Sequence, residues 1–531
     1  MKPVQAVAVI GVTALSLSAC SGSAGPSSAE GGAYQDGKTF TMVLEADPGN
    51  LDPHFTSQSS TWQVDRFLYD SLVNIDEHGK IVPGLAKTWH ATTTRATFTL
   101  RKGITCSDGS RLTARDVAAN INFVAEPKNA STRLGVFVPP GAKAVGNDTA
   151  GTVTVTSATP DSFLDRNLGG LHIVCPKGMK NRTLIKQKAA GTGMFELTEA
   201  VPGDHYTLTR RKDYAWGPGN WKTVQKGLPD KVVLRVISNE STAANLLLAR
   251  EVNLVTLIGP DRQRLRGLKL VEREVVSPLG ELWFNQADGL PGADEKVRRA
   301  LTQALDLDAL AKALTSGSGK PATGLVAPGM GPCSKDTVRG NLPSHDLDAA
   351  KSALDTAGWR TGPGGARTKG GKKLMLTFYY STSTGATQQA ATAELVQKQW
   401  KSLGVRVTLK GATDAESGKL VVGGEGAWDV AILPLGVALP TEAVSFLSGP
   451  RPPKGHNFAA IDNKPYTAAV GEASGIAGTG GCQTWAKAEK HIFRHVDLVP
   501  FVNAVTPKLA QGATFELSQG AVTPGSIRMT G

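Results

Sequence analysis

Residues 374–409 read LMLTFYYSTSTGATQQAATAELVQKQWKSLGVRVTL, and this stretch decides the class of fold. Its first seven residues, Leu374–Tyr380, are apolar and aromatic enough to predict a buried strand. Thr387–Leu403 has the spacing of a helix that ends at Gly404, and Val405–Leu409 predicts a second strand. A strand, a helix and a strand in this order form a β-α-β unit, whose strands are parallel and joined by a right-handed crossover. The sequence therefore predicts an α/β fold for the C-terminal half of the chain.

Similar patterns on both sides of this unit predict further elements. The predicted strands are Ala96–Arg101, Lys231–Ile237 and Trp428–Leu433, and the predicted helices are Leu112–Val124, two successive helices within Asp294–Leu314, Asp346–Ala357 and Trp485–Val496. Thr113, with Asp116 three residues later, has the spacing of a helix N-cap. The Gly- and Lys-rich segment 362–373 is predicted to be a loop.

The composition excludes several classes of protein. The chain has 531 residues, of which 40% are apolar and 20% charged, so it can form large cores and is not disordered throughout. Its length suggests about three or four compact units, or fewer large ones. The formal net charge is +12, but the basic residues are scattered and no aromatic residues interleave with a basic cluster. We therefore expect no nucleic-acid partner.

The N-terminal residues predict export. Lys2 precedes a mostly apolar stretch, Val4–Leu17, that is too short for the roughly 20 residues of a membrane-spanning helix. Leu17-Ser18-Ala19-Cys20 resembles the bacterial lipobox, so residues 1–19 would be a lipoprotein signal peptide and Cys20 the lipidated residue. Residues 20–37 are rich in small residues and predict a flexible tether behind the lipid. The alternative is an ordinary secretory signal that happens to contain a cysteine.

Export changes the interpretation of the other cysteines. These are Cys106, Cys175, Cys333 and Cys482. An even number of cysteines outside the cytosol favours two disulfides, and the spacing alone leaves three connectivities open. The chain has no C-x-x-C motif, which makes zinc or redox chemistry a weak interpretation.

We find no pattern of residues that indicates catalysis or a cofactor. The sequence lacks G-x-S-x-G and H-E-x-x-H motifs, and Gly317–Lys320 (GSGK) lacks both the first glycine and the Ser/Thr of a phosphate-binding loop. His491 and His495 lie four residues apart on a predicted helix and could share a metal, but two surface histidines are the better interpretation. We therefore predict a binding protein without catalytic residues, cofactor or metal.

Short motifs then follow one another along almost the whole chain. They are Asp47–Pro53 (DPGNLDP), Pro83–Ala86 (PGLA), Phe98–Gly103 (FTLRKG), Ser107–Gly109 (SDG), Leu112–Val117 (LTARDV), Gly191–Gly193 (GTG), Phe284-Asn285, Val297–Leu301 (VRRAL), Ala349–Trp359 and Trp485–Phe501. In this order they resemble the peptide/nickel family, or oligopeptide-binding family 5, of extracytoplasmic solute-binding proteins of ABC importers, in the form of an actinobacterial-type lipoprotein. Each motif alone is weak, and the resemblance depends on their common register.

The resemblance implies an α/β, two-lobed periplasmic-binding-protein-like (type II) fold with an extra subdomain inserted in lobe one. Lobe one would comprise residues 38–276 and 505–531, with the inserted subdomain at about 71–188. Lobe two would comprise residues 277–504. This division favours one of the three disulfide connectivities, Cys106–Cys175 with Cys333–Cys482, because it places one bridge in each lobe.

The resemblance also implies a function. A protein of this family captures a peptide-like or other small solute between its lobes and delivers it to an ABC permease, whose ATPase subunits are separate chains. It would be a monomer, anchored by lipid on the extracytoplasmic face of the cell membrane. The alternative is a non-transport lipoprotein with the same fold, such as a signal-peptide receptor, a chaperone or an enzyme.

Ligand-binding positions are carried over from the family by position. They lie in the loop after the L-D-P turn, in the strand that enters lobe two and in the loop after the third predicted strand, and they are Gln58, Ser59, Ser277, Leu279, Glu281, Leu435, Gly436 and Val437. The family's Asp that pairs with the ligand's α-amino group is missing from Pro434–Pro440, as is the preceding Trp. Either Glu442 or Glu281 substitutes for that Asp, or the ligand is not an ordinary peptide.

Overall fold

The computed structural model describes residues 33–56, 58–186, 188–218, 223–258, 260–383 and 385–531. The predicted signal peptide, Cys20 and most of the predicted tether lie outside the described residues. Within these ranges, every helix is too short or too polar to cross a membrane.

The strands and helices have the following bounds. The strands are β1 (Thr39–Leu44), β2 (Val73–Ile75), β3 (Ile81–Pro83), β4 (Ala86–Ala91), β5 (Arg95–Leu100), β6 (Lys143–Asn147), β7 (Thr152–Thr156), β8 (Phe195–Val201), β9 (His205–Arg210), β10 (Lys231–Val236), β11 (Leu254–Thr256), β12 (Val271–Phe284), β13 (Lys320–Pro321), β14 (Arg360–Thr361), β15 (Arg367–Lys369), β16 (Lys372–Lys373), β17 (Met375–Ser381), β18 (Arg406–Ala412), β19 (Val430–Ile432), β20 (Leu498–Ala510), β21 (Ala513–Thr514), β22 (Leu517–Ser518), β23 (Ala521–Val522) and β24 (Arg528–Met529). The α-helices are α1 (Ser59–Leu68), α2 (Ala114–Ala125), α3 (Leu164–Gly170), α4 (Pro176–Lys180), α5 (Arg182–Ile185), α6 (Glu240–Leu248), α7 (Glu295–Gln303), α8 (Leu307–Thr315), α9 (Leu347–Thr356), α10 (Ala386–Lys401), α11 (Asp414–Ser417), α12 (Pro440–Leu447), α13 (Lys464–Ser474) and α14 (Cys482–Arg494).

The predicted β-α-β unit is confirmed as β17, α10 and β18. The two strands pair in parallel, and β19 pairs in parallel with the other edge of β17. The fully buried Trp400 fixes α10 against the sheet, because its ring packs edge-on to Phe378 and its indole Nε1 donates a hydrogen bond to the Leu301 carbonyl at 2.8 Å. Gly404 ends the helix with a positive φ of 81°, as glycine readily does.

One sheet extends through the whole molecule. Within the described residues its strand order is β18-β17-β19-β12-β20-β11-β1-β10-β9-β8, with β13 paired to β20. The long strands β12 and β20 are antiparallel neighbours from Val271 opposite Ala510 to Trp283 opposite Leu498. β19 joins one end of this ladder and β11 joins the other. The two long strands therefore connect both halves of the sheet.

Two hydrophobic cores lie at the two ends of this ladder. The first core takes its buried side chains from residues 40–265 and 509–529, in two clusters. The second core takes them mainly from residues 282–502, in two clusters. Leu282 and Trp283 belong to different clusters, so the two clusters cover opposite faces of the sheet. The lobe boundaries given above stay a prediction.

The β12–β20 ladder is irregular at one glycine. Its register shifts between Pro278 and Gly280 and again between Gly280 and Glu281. A Cβ at position 280 would lie 2.5 Å from the ring of Phe501, so a side chain does not fit there. The glycine lets the two strands stay in contact where the ladder is bulged.

This bulge changes which face of the sheet each residue of β12 occupies. Leu279 packs against the cluster that contains Leu282 and Phe284, although strict alternation would place it opposite Leu282. Glu281 precedes Trp283 by two residues and lies on the face of the other cluster. Leu279 and Glu281 therefore face opposite sides of the sheet.

A separate four-stranded sheet, β4-β5-β7-β6, packs against α2 within the first core. The predicted N-cap of α2 is confirmed, since Thr113 and Asp116 form a reciprocal capping box. The disulfide Cys106–Cys175 lies in the same core. The second disulfide, Cys333–Cys482, joins a loop to the first residue of α14. The favoured connectivity is therefore confirmed.

The prediction of a loop at 362–373 is wrong. Segments β14, β15 and β16 form a small antiparallel sheet there. Gly370 and Gly371 both have positive φ and connect Lys369 to Lys372 in a two-residue hairpin. Paired positive φ values are what such a tight hairpin requires, so the glycines that suggested a loop instead build a turn between strands.

Candidate ligand-binding site

A cavity lies between elements of the two cores. Its empty volume is about 1020 Å³, counted with the solvent-open mouth. Elements of the first core contribute Trp62, Arg66, Tyr69, Asp70, Ser71, Val73, Asn74, Ile75, Gly79, Phe137, Arg166, Asn167, Gly170, His172, Met194, Tyr214, Pro218, Gln519, Thr523, Pro524 and Gly525. The second core contributes Met330, Gly331, Pro332, Ala438, Leu439 and Glu442.

Aromatic rings form one wall of the cavity. Trp62 stacks on His172 with ring centroids 4.6 Å apart, and on Phe137 at 5.8 Å. The guanidinium of Arg133 lies 5.3 Å from the ring centroids of both Trp62 and Phe137. Burial lowers the pKa of His172 well below its ordinary value, so this ring is neutral. The wall therefore offers a flat, apolar surface to a ligand.

Arg66 is the charged residue that lies next to this wall on the same helix. It follows Trp62 by four residues on α1, so the two side chains share one face of the helix. One guanidinium nitrogen donates a hydrogen bond to the Ser518 carbonyl at 2.6 Å. Burial lowers the pKa of Arg66 to about 10, which leaves it positively charged at neutral pH.

The acids that line the cavity, Asp70 and Glu442, accept hydrogen bonds from other groups of the protein. Asp70 accepts hydrogen bonds from Tyr214, Trp216 and Thr192 at 2.9–3.0 Å, and burial raises its pKa to about 6. Glu442, on α12, accepts hydrogen bonds from the backbone N–H groups of Ala438 and Leu439 at 2.7 and 3.2 Å. Burial raises the pKa of Glu442 to about 7. Both acids therefore bear less negative charge than an exposed carboxylate would.

The predicted positions Gln58 and Ser59 are exposed at the start of α1. They do not line the cavity in the described structure, whereas Trp62 and Arg66 of the same helix do. Trp62 and Arg66 were not among the positions predicted from the sequence. An aromatic and a basic residue at helical spacing, just after a predicted ligand-lining loop, would have been the available signal.

The predicted positions near the third strand are divided among several environments. Glu442 lines the cavity, and Leu439 and Ala438 beside it were not predicted. Val437 is buried and bridges to Val326, while Gly436 is exposed. The predicted segment 435–437 therefore borders the cavity. The residues that line the cavity here, Ala438, Leu439 and Glu442, come one to five positions after Val437.

The structure brings two predicted positions, Glu281 and Leu435, into direct contact. The backbone N–H of Leu435 donates to Glu281 Oε2 at 2.6 Å, while Oε1 has no hydrogen-bond partner among the described residues. Burial, with a smaller contribution from the nearby Glu489, raises the pKa of Glu281 to about 8. Glu281 is therefore a buried acid that is largely protonated at neutral pH.

The other predicted residues of β12 lie elsewhere. Ser277 is half-buried in the ladder opposite Ala504. Leu279 lines a second cavity on the opposite side of the sheet, which also includes Arg262 and Leu314. The bulge at Gly280 is the reason that Leu279 and Glu281 do not meet at one site.

The two cores also touch directly through Ser162 and Phe163. Phe163 belongs by sequence to the first half of the chain, yet its ring is fully buried in the second core. Ser162 Oγ donates to the Ala473 carbonyl at 2.7 Å and accepts from Trp485 Nε1 at 3.2 Å. The Gly478 N–H donates to the Ser162 carbonyl at 2.7 Å. We call this set the Phe163 contact.

His491 and His495 do not form a metal site in the described structure. His495 Nδ1 lies 2.8 Å from a carboxylate oxygen of Glu295 instead. The described residues contain no group of three or more His, Cys, Asp or Glu side chains placed to hold a metal ion.

Two cores joined by long shared strands, with a cavity between them, define the α/β periplasmic-binding-protein fold. The family described as bacterial extracellular solute-binding proteins, family 5 (middle region), matches residues 80–451. The chain therefore belongs to family 5 of the bacterial extracellular solute-binding proteins. Members of this family are extracytoplasmic solute-binding proteins of ABC transporters and are not enzymes.

Named relatives agree with this assignment. The chain is 30% identical over 401 residues to the periplasmic murein peptide-binding protein MppA of Escherichia coli, covering 69% of this chain and 70% of that protein. A substrate-binding protein from Microbacterium hydrocarbonoxydans, solved with 4-hydroxybenzoate hydrazide, superposes with a TM-score of 0.76 and 26% identity, over 93% of this chain and all of that one. The oligopeptide-binding protein AppA of Bacillus subtilis, solved with a nonapeptide, superposes with a TM-score of 0.77 and 18% identity, over 94% and 100%.

The Phe163 contact leads to a prediction about the link between the cores. We expect Phe163→Ala to lower the free energy of unfolding by about 3–5 kcal/mol, because a fully buried ring is lost. We also expect the radius of gyration of the native protein to increase, since the ring joins two separate cores. Urea unfolding measures the free energy of unfolding, and small-angle scattering measures the radius of gyration.

Phe98→Ala is the matched control, because Phe98 is equally buried but lies wholly within the first core. It is expected to destabilise the protein without changing its radius of gyration. Identical scattering curves for both variants and the wild type would show that the Phe163 contact does not hold the cores together.

Glu281 leads to a prediction about pH. Its pKa is about 8 in the folded protein and near 4.5 when unfolded, so the folded state binds more protons between these values. Stability from this group is therefore present at low pH and is lost as the pH rises from about 5 to 8. We expect Glu281→Gln to reduce that loss by at least about 1.4 kcal/mol, the equivalent of one pKa unit.

Urea unfolding at a series of pH values tests this expectation. Glu425→Gln is the control, because Glu425 is exposed and pairs only with the exposed Lys419 in the described structure. Parallel stability profiles for Glu281→Gln and the wild type would contradict the assignment of a protonated Glu281.

Proposed function

We propose that this protein is a lipid-anchored receptor that captures a peptide-like or other small solute between two lobes and delivers it to an ABC permease. The cavity that draws side chains from both cores is the observation that carries this proposal. Lobe one would comprise residues 38–276 and 505–531, with the inserted subdomain at 71–188, and lobe two residues 277–504. The ATPase subunits would be separate chains.

Binding and closure are coupled through the cavity walls. A solute that touches Trp62 on one side and Glu442 on the other makes its full set of contacts only when the walls are close together. Only these differential contacts shift an open form toward a closed one. A micromolar ligand has a total binding free energy of about 8 kcal/mol, which sets the scale of what such contacts supply.

The β12–β20 ladder is the part of the structure that would bend during this closure. Its strands pass from one core to the other, so any change in the angle between the cores bends these strands. The bulge at Gly280 interrupts the regular pairing in the middle of that passage. We place the hinge of the closing motion at this bulge.

The relatives support a broad range of solutes. One has a murein peptide in its name, one was solved with a nonapeptide and one with 4-hydroxybenzoate hydrazide. The fold thus accommodates both peptides and small aromatic compounds. For this chain, the aromatic wall of Trp62, Phe137 and His172 suits a ligand with an apolar body.

Capture of a solute in this cavity is tested by native mass spectrometry of the purified protein, followed by calorimetry with the compound that copurifies. We expect Trp62→Ala to weaken binding of that compound at least about tenfold, because a large aromatic surface that lines the cavity is lost. Trp89→Ala is the matched control, since Trp89 lies on β4 and does not line the cavity in the described structure. Equal affinity of both variants would contradict the assignment of this cavity.

Membrane anchoring is tested separately at Cys20. The lipobox-like Leu17–Cys20 and the small-residue segment after it support lipidation at this cysteine. We expect the wild-type protein to fractionate with membranes and to carry the mass of a diacylglyceryl group, and Cys20→Ser to lose both properties. Ser21→Ala is the control and should stay anchored. A soluble, unmodified wild-type protein would show that residues 1–20 are an ordinary secretory signal.

A further inference from the structure

We propose that the ligand of this cavity is an organic acid with an apolar body, whose carboxylate pairs with Arg66. This inference rests on the proposed function and specifies its class of solute. It also assigns a ligand-binding role to a residue of α1 that lies outside the positions suggested by the family resemblance.

Arg66 has unused hydrogen-bond donors in the described structure. A guanidinium has five N–H donors, and in the described structure Arg66 makes one hydrogen bond, to a backbone carbonyl. No carboxylate of the described residues lies within ion-pairing distance of it. A partly buried cation is costly unless an anion compensates it. Because Arg66 lines the cavity, a ligand in the cavity can reach the remaining donors.

Three other arginines with buried guanidinium groups have the acidic partner that Arg66 lacks in the described structure. Arg298 pairs with Asp497 at 2.9 Å, Arg182 pairs with Asp52, and Arg367 pairs with Asp355. Each of these cations has its carboxylate supplied by the protein. In the described structure Arg66 has none, and it is the one of these four that faces the cavity.

The other basic groups that face the cavity, His172 and Arg166, differ from Arg66 in their charge or their surroundings. His172 is neutral, because burial holds its pKa low. Arg166 is also a cation, but its guanidinium lies near the Gly79 carbonyl and in the field of Asp165 and Asp76. The fields of Asp165 and Asp76 therefore offset part of the cost of burying Arg166, although neither acid forms an ion pair with it in the described structure.

The cavity-lining acids Asp70 and Glu442 do not form an ion pair with Arg66 in the described structure. Asp70 uses both carboxylate oxygens in hydrogen bonds to other side chains of the first core. Glu442 directs one oxygen to two backbone N–H groups at the start of α12. Their raised pKa values reduce their negative charge at neutral pH. The cavity is therefore better matched to an anion than to the ammonium group of a free peptide.

Arg66 also lies close to the aromatic wall of the cavity. Trp62 and Arg66 are one helical turn apart on α1 and both line the cavity, so a ligand that contacts the indole can place its acidic group at the guanidinium. Met194 and Met330 extend the apolar lining on both sides of the cavity. The arrangement fits a compound with a flat or branched apolar body and one acidic end.

Matched pairs of probes test the proposal in the full-length protein. The probes are 4-hydroxybenzoate with 4-hydroxybenzamide, and N-acetyl-leucyl-leucine with its C-terminal amide. Within at least one pair we expect the acid to bind the wild type about tenfold or more tightly than the amide. The N-acetyl group removes the free amine, so binding of the acetylated acid also shows that no ammonium partner is needed.

Variants of Arg66 show whether this residue carries the preference. We expect Arg66→Gln to abolish the difference between acid and amide, and Arg66→Lys to retain part of it as a point charge. Circular dichroism and thermal melting confirm that both variants are folded. Arg115→Gln is the control, because Arg115 is an exposed surface residue paired with Asp148, and it should bind both probes as the wild type does.

The outcomes separate this proposal from the proposed function. Equal affinity for acid and amide, a preference that survives in Arg66→Gln, or no binding of any acid at about 1 mM overturns the carboxylate assignment. If a neutral or cationic compound copurifies and its binding is lost in Trp62→Ala, the binding function stands while the carboxylate assignment fails. If no compound binds and Trp62→Ala changes nothing, the binding function itself fails.

Discussion

The antiparallel ladder between β12 and β20 is the interaction on which the rest of this structure depends. Each strand has one end in the first core and the other in the second, so backbone hydrogen bonds join two hydrophobic cores that otherwise fold around separate segments. The cavity exists because these cores are held side by side and not merged. Gly280 is essential to that arrangement, since the ring of Phe501 occupies the space that a side chain would need.

The chemistry of the cavity follows from a difference between buried cations: some pair with an acid of the chain, and Arg66 does not in the described structure. The buried cations Arg298 and Arg182 each have an acid supplied by the chain, and the cavity's acids Glu442 and Asp70 accept hydrogen bonds from backbone or side-chain donors. Arg66 is left with one carbonyl partner beside an aromatic wall. A site of this kind discriminates by charge at one end and by apolar surface at the other, because an unpaired buried cation penalises any ligand that fails to neutralise it.

Side-chain packing and hydrogen bonds outside the β12–β20 ladder also join the two cores. The Phe163 contact places a side chain from the first half of the chain in the interior of the second core, with Ser162 hydrogen-bonded on three sides. Asn167 adds a hydrogen bond to Thr441 at 3.2 Å. Such contacts hold the two cores together independently of any solute, so they contribute to the free-energy difference between arrangements of the cores that a ligand would have to shift.

The sequence by itself determined the local elements, because hydrophobic periodicity and capping act between near neighbours. The β-α-β unit at 374–409 and the capping box at Thr113 needed no tertiary information. The motif order also determined the family, and its two-lobe division selected the correct disulfides. The ligand site was decided only by the tertiary structure. Strand alternation does not reveal that the bulge at Gly280 sends Leu279 and Glu281 to opposite faces of the sheet. Helical spacing does not reveal that Arg66 forms no ion pair with any acid in the described part of the chain. Both facts depend on residues that are distant in sequence and adjacent only in the folded chain.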